Sequence, residues 1–403
     1  MTHVNTEAAV VPASRYPHGY ASVRSLATRG IRAVAAVANP TLPVTTSRFC
    51  DEVVTVPPSY DLVPYRDALL DLAARPDVRT ILPHRPQDPY VLSKHADAFD
   101  PHVDLVVPPF ETLRTVHDRK RLMEVVSDAG VSVPETRLLD EAAGWETDRI
   151  VKSRYNLLAA EYVDSFTPTD SRIVKTVKHL PAGESVDVDA LCEKMGHVPI
   201  VQEYVAGADE YVFGALYDRG EALATFGHRQ LREDSYAGGG GVYRESVRSP
   251  ELDAAGRRAL DALDWHGLAC LEFVEDAETG EFTLVEINPR MWQSLATAVR
   301  AGADFPYWYW LLATGRSDRI DPDYRVGVGT HYLYGELEHL VSVLREDSAF
   351  VARPSVLGTV ASIARSWVER PQFDDFHLDD PSPALRQVRN EFVRVVGRRL
   401  GRE

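Results

Sequence analysis

The sequence is poor in cysteine, in lysine and in long apolar runs, and each shortage closes off a class of protein. Cys50, Cys192 and Cys270 form an odd set with no CxxC spacing, which excludes a disulfide framework and a cysteine-based structural zinc site and leads us to expect a reducing, cytoplasmic setting. The longest aromatic and apolar run, Phe305 to Ala313, is too short to cross a bilayer. The first residues show no basic stretch followed by an apolar one, so no membrane or secretory segment is expected. Basic residues number 44 against 60 acidic ones, and only six are lysine: Lys94, Lys120, Lys152, Lys175, Lys178 and Lys194. The resulting formal charge of -16 repels nucleic acid and anionic membranes. Any phosphate must then be gathered by a local cluster of cations or by a metal. The acidic balance reads equally as salt adaptation and as compositional drift. No Ser-His-Asp or catalytic cysteine signature is present.

What is present is enough chain for two or three domains, 403 residues of which 44% are apolar. Ala8 to Val11, Arg32 to Val37, Val53 to Val56, Thr80 to Leu82 and Leu105 to Val107 read as strands separated by amphipathic stretches, a βα layer with a parallel sheet. One intervening helix is expected from about Ala21 to Arg29, stopping at Gly30. The loop before it, Ser14 to Tyr20, holds no GxGxxG and is read as facing a ligand other than a dinucleotide. A further helix starts after His117-Asp118 and ends at Ala129-Gly130. From Ile150 to Asn288 the pattern changes to closely spaced strands with one clear helix, about Glu251 to Leu263, and a glycine run Gly238 to Gly241 that reads as a mobile lid. Beyond Pro322 the chain is expected to be helical over about Leu333 to Arg345 and Val356 to Glu369, followed by the acidic segment Asp374 to Pro383 and a basic helical tail. The aromatic cluster Phe305 to Trp310 reads as the packed face of a helix.

The most informative stretch runs from Leu271-Glu272-Phe273 to Val285-Glu286-Ile287-Asn288-Pro289-Arg290 and reads as a hairpin turning near Thr279-Gly280. Side chains alternate along a strand, so Glu286 and Asn288 project from one face while Val285 and Ile287 take the other, with Arg290 in the same parity as the acids. Glu272 then falls opposite Glu286, with about 5 Å between their β-carbons. Two carboxylates so placed repel unless a cation intervenes. With an amide oxygen beside them they are the hard donors that magnesium prefers, and a nearby arginine suits a transferring phosphoryl group. His228-Arg229, just ahead of the glycine run, is read as placing Arg229 over the phosphates.

Glu272 followed by Glu286-x-Asn288-x-Arg290 resembles the metal-binding signature of the ATP-grasp superfamily, and the resemblance extends from about Val4 to Gly315. It implies an α/β N-terminal domain over 1–115 and an α+β ATP-grasp domain over 116–320, with a small lobe at about 120–200 and a large lobe at about 201–320; a helical C-terminal extension, 321–403, follows. By the same resemblance Glu272, Glu286 and Asn288 would hold Mg2+ (or Mn2+), and Arg290 would steady the γ-phosphate or an acyl phosphate. Asp118-Arg119 resembles the Asp-Lys of biotin carboxylase-like members, with arginine as in carbamoyl-phosphate synthetase, so Arg119 would contact the nucleotide phosphates, with Lys120 as its alternative. Lys152, at the end of Ile150-Val151-Lys152, would reach the α- and β-phosphates. Val201 to Gly207 resembles the segment between the lobes whose backbone reads adenine at Glu203 and Val205, and Glu210 would meet the ribose. Gln293 and Ser294 stand where members contact the acceptor substrate, and capping of the following helix by Ser294 or its neighbours is an equal reading. The chain departs from biotin carboxylases after Lys152, where Ser153 to Leu158 replaces a glycine-rich loop.

The resemblance therefore implies an ADP-forming ligase that uses ATP to phosphorylate a carboxylate and couples it to an amine, with these small molecules as partners and a homodimer compatible with them. Asp379-Asp380-Pro381 resembles the tail of a group of carboligases near the carbamoyl-phosphate synthetase large chain. The alternatives are an enzyme that activates bicarbonate to carboxyphosphate and a non-catalytic nucleotide-binding regulator.

Overall fold

A computed structural model describes residues 7–399 except 143, 206, 278 and 349, with backbone alone for Gly207, Ala208, Phe392 and 394–399. Val4, where the resemblance begins, Ala206 of the segment between the lobes, and the ends of the two terminal segments lie outside the described residues.

The N-terminal strands β1 (Ala8–Pro12), β2 (Arg32–Val37), β3 (Glu52–Thr55) and β4 (Val78–Ile81) form a parallel sheet in the order β3-β2-β1-β4. Its central strands are apolar at nearly every position because both faces are covered. Ala9, Val11, Ala33, Ala35 and Val37 pack with the helices His18–Thr28 and Phe305–Ala313, while Ala8, Val10, Val34 and Ala36 pack with the helix Leu62–Ala73. The aromatic cluster is core, as expected: Trp308, Tyr309 and Trp310 are all buried. The expected strand at Leu105–Val107 does not form. That run lies beside β4 through Asp104 N donating to Arg79 O (3.2 Å), and its valines are buried in the two flanking cores without joining the ladder.

A second, antiparallel sheet has the order β5-β8-β6-β7, built from β5 (Thr136–Leu138), β6 (Arg149–Lys152), β7 (Val177–Leu180) and β8 (Ile200–Glu203). A helix not read from the sequence, Val188–Met195, packs Leu191 and Met195 on this sheet. The largest sheet is six-stranded, in the order β13-β12-β9-β10-β11-β14, with β9 (Gly207–Asp218), β10 (Glu221–Glu233), β11 (Gly241–Val247), β12 (Gly267–Asp276), β13 (Phe282–Asn288) and β14 (Gly329–His331). The β9–β10 hairpin closes through Arg219 and Gly220, at φ 45° and 87°, the paired left-handed residues that a two-residue turn between right-twisted strands requires. One face of this sheet carries Phe213, Tyr217, Leu271 and Phe273 against the helix Pro250–Asp261. The other carries Val212, Leu216, Phe226 and Cys270 against the helices Leu295–Ala301 and Phe305–Ala313.

The C-terminal segment is helical over Leu333–Arg345, Val356–Glu369 and Ser382–Arg399, but β14, also C-terminal to Pro322, joins the edge of the large sheet. The acidic stretch between the last two helices anchors it. Asp374 pairs with Arg244, both buried, and Asp380 accepts from Tyr20 (3.2 Å), Ser47 (2.6 Å) and the backbone N of Arg48 (3.3 Å).

Candidate active site

The β12–β13 hairpin sets the chemistry. Glu272 and Glu286 are direct cross-strand partners, as the alternation predicts, and Cys270 pairs with Asn288. The next pair is Phe273 with Leu284, so Val285 is left over as a β-bulge. That bulge corrects one expectation: Val285 shares the cavity face with Glu286 instead of taking the opposite one. Its carbonyl receives Lys152 Nζ at 3.5 Å. Asn288 Nδ2 donates to Glu272 Oε1 (3.2 Å), and Arg290 donates to Asn288 Oδ1 (3.2 Å) and to Met291 O (3.0 Å).

Three cations converge on the acids. Arg119 opens the helix Arg119–Asp128, whose N-cap Asp118 accepts from the backbone N of Lys120 (3.2 Å) and Arg121 (3.4 Å). Asp118 is gripped in turn by the Arg154 guanidinium at 2.6 Å, which fixes the direction in which Arg119 leaves the helix. Arg119 Nη2 lies 3.2 Å from Glu286 Oε1, and its Nη1 donates to Ser153 O at 2.8 Å. Lys120, the alternative, instead pairs with Glu124 one turn along the helix. The sequence reading missed Asn156, whose amide donates to Ile287 O at 3.3 Å. Together, Arg154 and Asn156 tie the segment after Lys152 to both neighbouring elements.

Burial pushes the Glu272 carboxyl up to about 7, with Glu286 and Glu210 adding to the rise. Burial would raise Glu286 too, but Arg119, Lys152 and Arg290 hold it below the usual range. Lys152 is lowered to about 8, first by burial and then by Arg119. The pair is thus short of positive charge at Glu272, and its donor set of two carboxylates and an amide oxygen fits a hard divalent cation. Among the described residues no group of three or more His, Cys, Asp or Glu is gathered for a metal. The set is one that phosphate oxygens and water would complete.

A pH test follows from Glu272. Between about 4.5 and about 7 the folded chain retains a proton that the unfolded chain has lost, so this group's contribution to stability is fully present below the lower value and is lost as pH rises through the upper one. In metal-free buffer the melting temperature of the parent is expected to fall more steeply over that interval than that of Glu272→Gln. Thermal melts giving parallel slopes would show that Glu272 is not held protonated.

The site opens into a cavity of about 1630 Å3 lined by Arg119, Lys152, Glu203, Val205, Glu210, Glu272, Glu286, Asn288, Arg290 and Gln293. Nine of the ten residues read from the sequence as catalytic, nucleotide-binding or metal-holding line this cavity. The tenth, Arg229, is not brought to the cavity. It stands opposite Tyr211, one residue out of step with Gln230, and its guanidinium pairs with Asp209 at 2.6 Å. Glu210 accepts from Gln230 (2.9 Å), and burial with Glu233 and Asp234 nearby raises it to about 8. Gly238 and Gly239, in the turn between β10 and β11, also line the cavity. Ser294 is not a side-chain helix cap; its hydroxyl meets His228 Nε2 at 2.7 Å, away from the cavity lining. Trp292 lies against Gly214, where a β-carbon would meet the ring at 2.6 Å.

No family model matches the chain, and no curated protein matches its sequence. Solved structures do match. Rhizobium etli pyruvate carboxylase superposes with a TM-score of 0.59 at 18% identity over 80% of this chain, which spans only 29% of that much longer one. The biotin carboxylase domain of Hydrogenobacter thermophilus 2-oxoglutarate carboxylase, solved with MgADP and bicarbonate, gives 0.58 at 15% identity over 80% of this chain and 73% of the other. An L-amino acid ligase from Bacillus licheniformis gives 0.56 at 15% identity over 81% and 80%. Over that part the chain shares the fold of these proteins; its own architecture is a parallel α/β layer followed by two antiparallel sheets, with helices toward the C-terminus. None of its helices is long and apolar enough to cross a membrane, among the described residues.

Proposed function

We propose that this protein is an ADP-forming ligase that phosphorylates a small carboxylate with ATP and passes the acyl group to an amine. The observation that carries this reading is the facing of Glu272 and Glu286 in register, ringed by Arg119, Lys152 and Arg290 at the wall of one large cavity. Adenine lies along Glu203 to Val205, Glu210 takes the ribose, and the triphosphate runs toward the hairpin. Glu272, Glu286 and the Asn288 amide oxygen are the donors that would hold magnesium or manganese, which supplies neutralisation of phosphate charge when bound. Lys152 and Arg119 bind the phosphates, and Arg119 also holds Glu286 ionised. Arg290, fixed through Asn288 and Met291 O, orients the γ-phosphoryl group toward the carboxylate. The carboxylate oxygen forms the new P–O bond as the bond to ADP breaks. The amine nitrogen then forms a C–N bond as the C–O bond to phosphate breaks; inorganic phosphate leaves, and the proton lost by the nitrogen passes to the departing phosphate or to water.

The catalytic elements are divided as in the sequence reading: an N-terminal domain to about 115, a grasp domain to about 320 and an extension beyond it. The setting proposed is the cytoplasm, and a homodimer is compatible with it. The test is an ADP-release screen over pooled carboxylates and amines. ADP that appears only when both classes are supplied supports the ligase, ADP with bicarbonate alone favours the carboxyphosphate reading, and ATP binding without turnover in any pool favours a regulator.

A further inference from the structure

The N-terminal sheet offers the cavity a crevice that the ATP chemistry leaves unused. In the order β3-β2-β1-β4 the chain reverses direction of growth between β1 and β4, and it is outside the carboxyl ends of such strands that an open α/β sheet receives ligands. The loops leaving those two ends place His18 and Arg85 in the cavity lining. Both are buried, 2% and 8% exposed.

Each retains unspent hydrogen-bonding capacity. Arg85 is anchored through Nη2 on the carbonyls of Ala13 and Ala36, yet its Nη1 has no partner. Asp88, three residues on, forms no ion pair with it among the described residues. Its oxygens are taken by the Tyr65 hydroxyl (2.6 Å) and by the backbone N of His84 (2.8 Å) and Arg85 (2.7 Å). His18 stacks on His84, centroids 5.3 Å apart and planes 14° from parallel. The His84 nitrogens meet Ser22 and Leu82 O, both at 2.8 Å, but neither nitrogen of His18 has a partner. His18 also opens an eleven-residue helix whose N-cap, Pro17, supplies no side-chain acceptor, and it is the residue of that first turn that lines the crevice. Burial, His84 and Arg290 outweigh the opposing effect of the His84 backbone and keep the imidazole well below its ordinary range, hence neutral, and a neutral ring offers one nitrogen as an acceptor.

A buried guanidinium N–H without a partner calls for a compact oxyanion, and a neutral imidazole beside it calls for an N–H donor. We propose that this crevice seats the amine substrate, which carries a carboxylate or phosphate group: the oxyanion rests on Arg85 and the amine donates to His18. This rests on the ligase reading of the same cavity, and it narrows the nucleophile to amines bearing a negative group.

The test uses the full chain with magnesium and a non-hydrolysable ATP analogue. Three matched pools are compared by thermal shift and then calorimetry: free amino acids, aminoalkyl phosphates such as phosphoethanolamine, and the same amines without the anion, as amino acid amides and ethanolamine. Binding is expected from the first or second pool, which decides between carboxylate and phosphate, and not from the third. Arg85→Gln should weaken that binding more than about tenfold, the scale of a lost charge-assisted hydrogen bond. His18→Phe, which keeps the stack on His84 and removes both nitrogens, should weaken it as well. Both variants should keep the parent's affinity for the nucleotide analogue, which shows that they are folded. Absence of binding from both anionic pools, equal binding from the third, or affinity surviving in both variants overturns the proposal. Failure of the analogue itself to bind the parent would instead remove the ligase reading.

Discussion

Glu286→Gln is expected to lower ADP formation by on the order of 10³-fold, the scale on which a fixed electrostatic contact to a transferring group acts. The side chain keeps its length, and its amide oxygen still accepts from Arg119, which now lies 3.2 Å from the carboxylate. Folding should survive because the cluster compensates. Glu286 is among the groups that push Glu272 up, and without it Glu272 ionises more readily and balances Arg119, Lys152 and Arg290. The melting temperature should therefore stay close to the parent's while the rate collapses. A coupled assay showing parental turnover in this variant would take Glu286 out of the metal and phosphate site.

Lys152→Ala should weaken ATP binding by about 10- to 100-fold, the loss expected for charged hydrogen bonds to phosphate. Nζ spends one contact on Val285 O, so an ammonium retains donors for a ligand. In the free protein burial and Arg119 lower it to about 8, so an arriving polyanion draws a proton onto it near that pH. Proton uptake on nucleotide binding, seen in buffers of different ionisation enthalpy, should vanish in the variant. Removing this buried cation relieves its repulsion with Arg119 and also takes a partner from Glu286, so the free protein should remain folded with a melting temperature near the parent's. Unchanged nucleotide affinity in calorimetry would mark Lys152 as a bystander.

The hairpin was legible because strand alternation and a short polar turn fix which side chains share a face, and Glu272 does pair with Glu286. Parity alone could not foresee the bulge at Val285, since nothing in the local residues distinguishes a skipped pair from a regular one. Arg229 was misplaced for a related reason. In β10 it alternates with His228 and Gln230, and only the register with β9, Gln230 against Glu210, reveals that Gln230 faces the cavity in its place. His18 lies in the Ser14 to Tyr20 stretch read from the sequence as facing a ligand, whereas Arg85 and Asn156 reach the cavity through tertiary placement of distant loops, and no local spacing carries that information. Leu105–Val107 had strand composition, but its valines were claimed by two cores and the ladder was not extended.

The most direct measurement is calorimetry of ATP binding with magnesium and with chelator, on the parent and on a variant carrying Glu272→Gln and Glu286→Gln together. Affinity should rise more than about tenfold with magnesium in the parent, as expected when buried carboxylates and a nucleotide share an ion, and should show no such rise in the variant. Equal affinity in chelator and in magnesium for the parent would contradict the account.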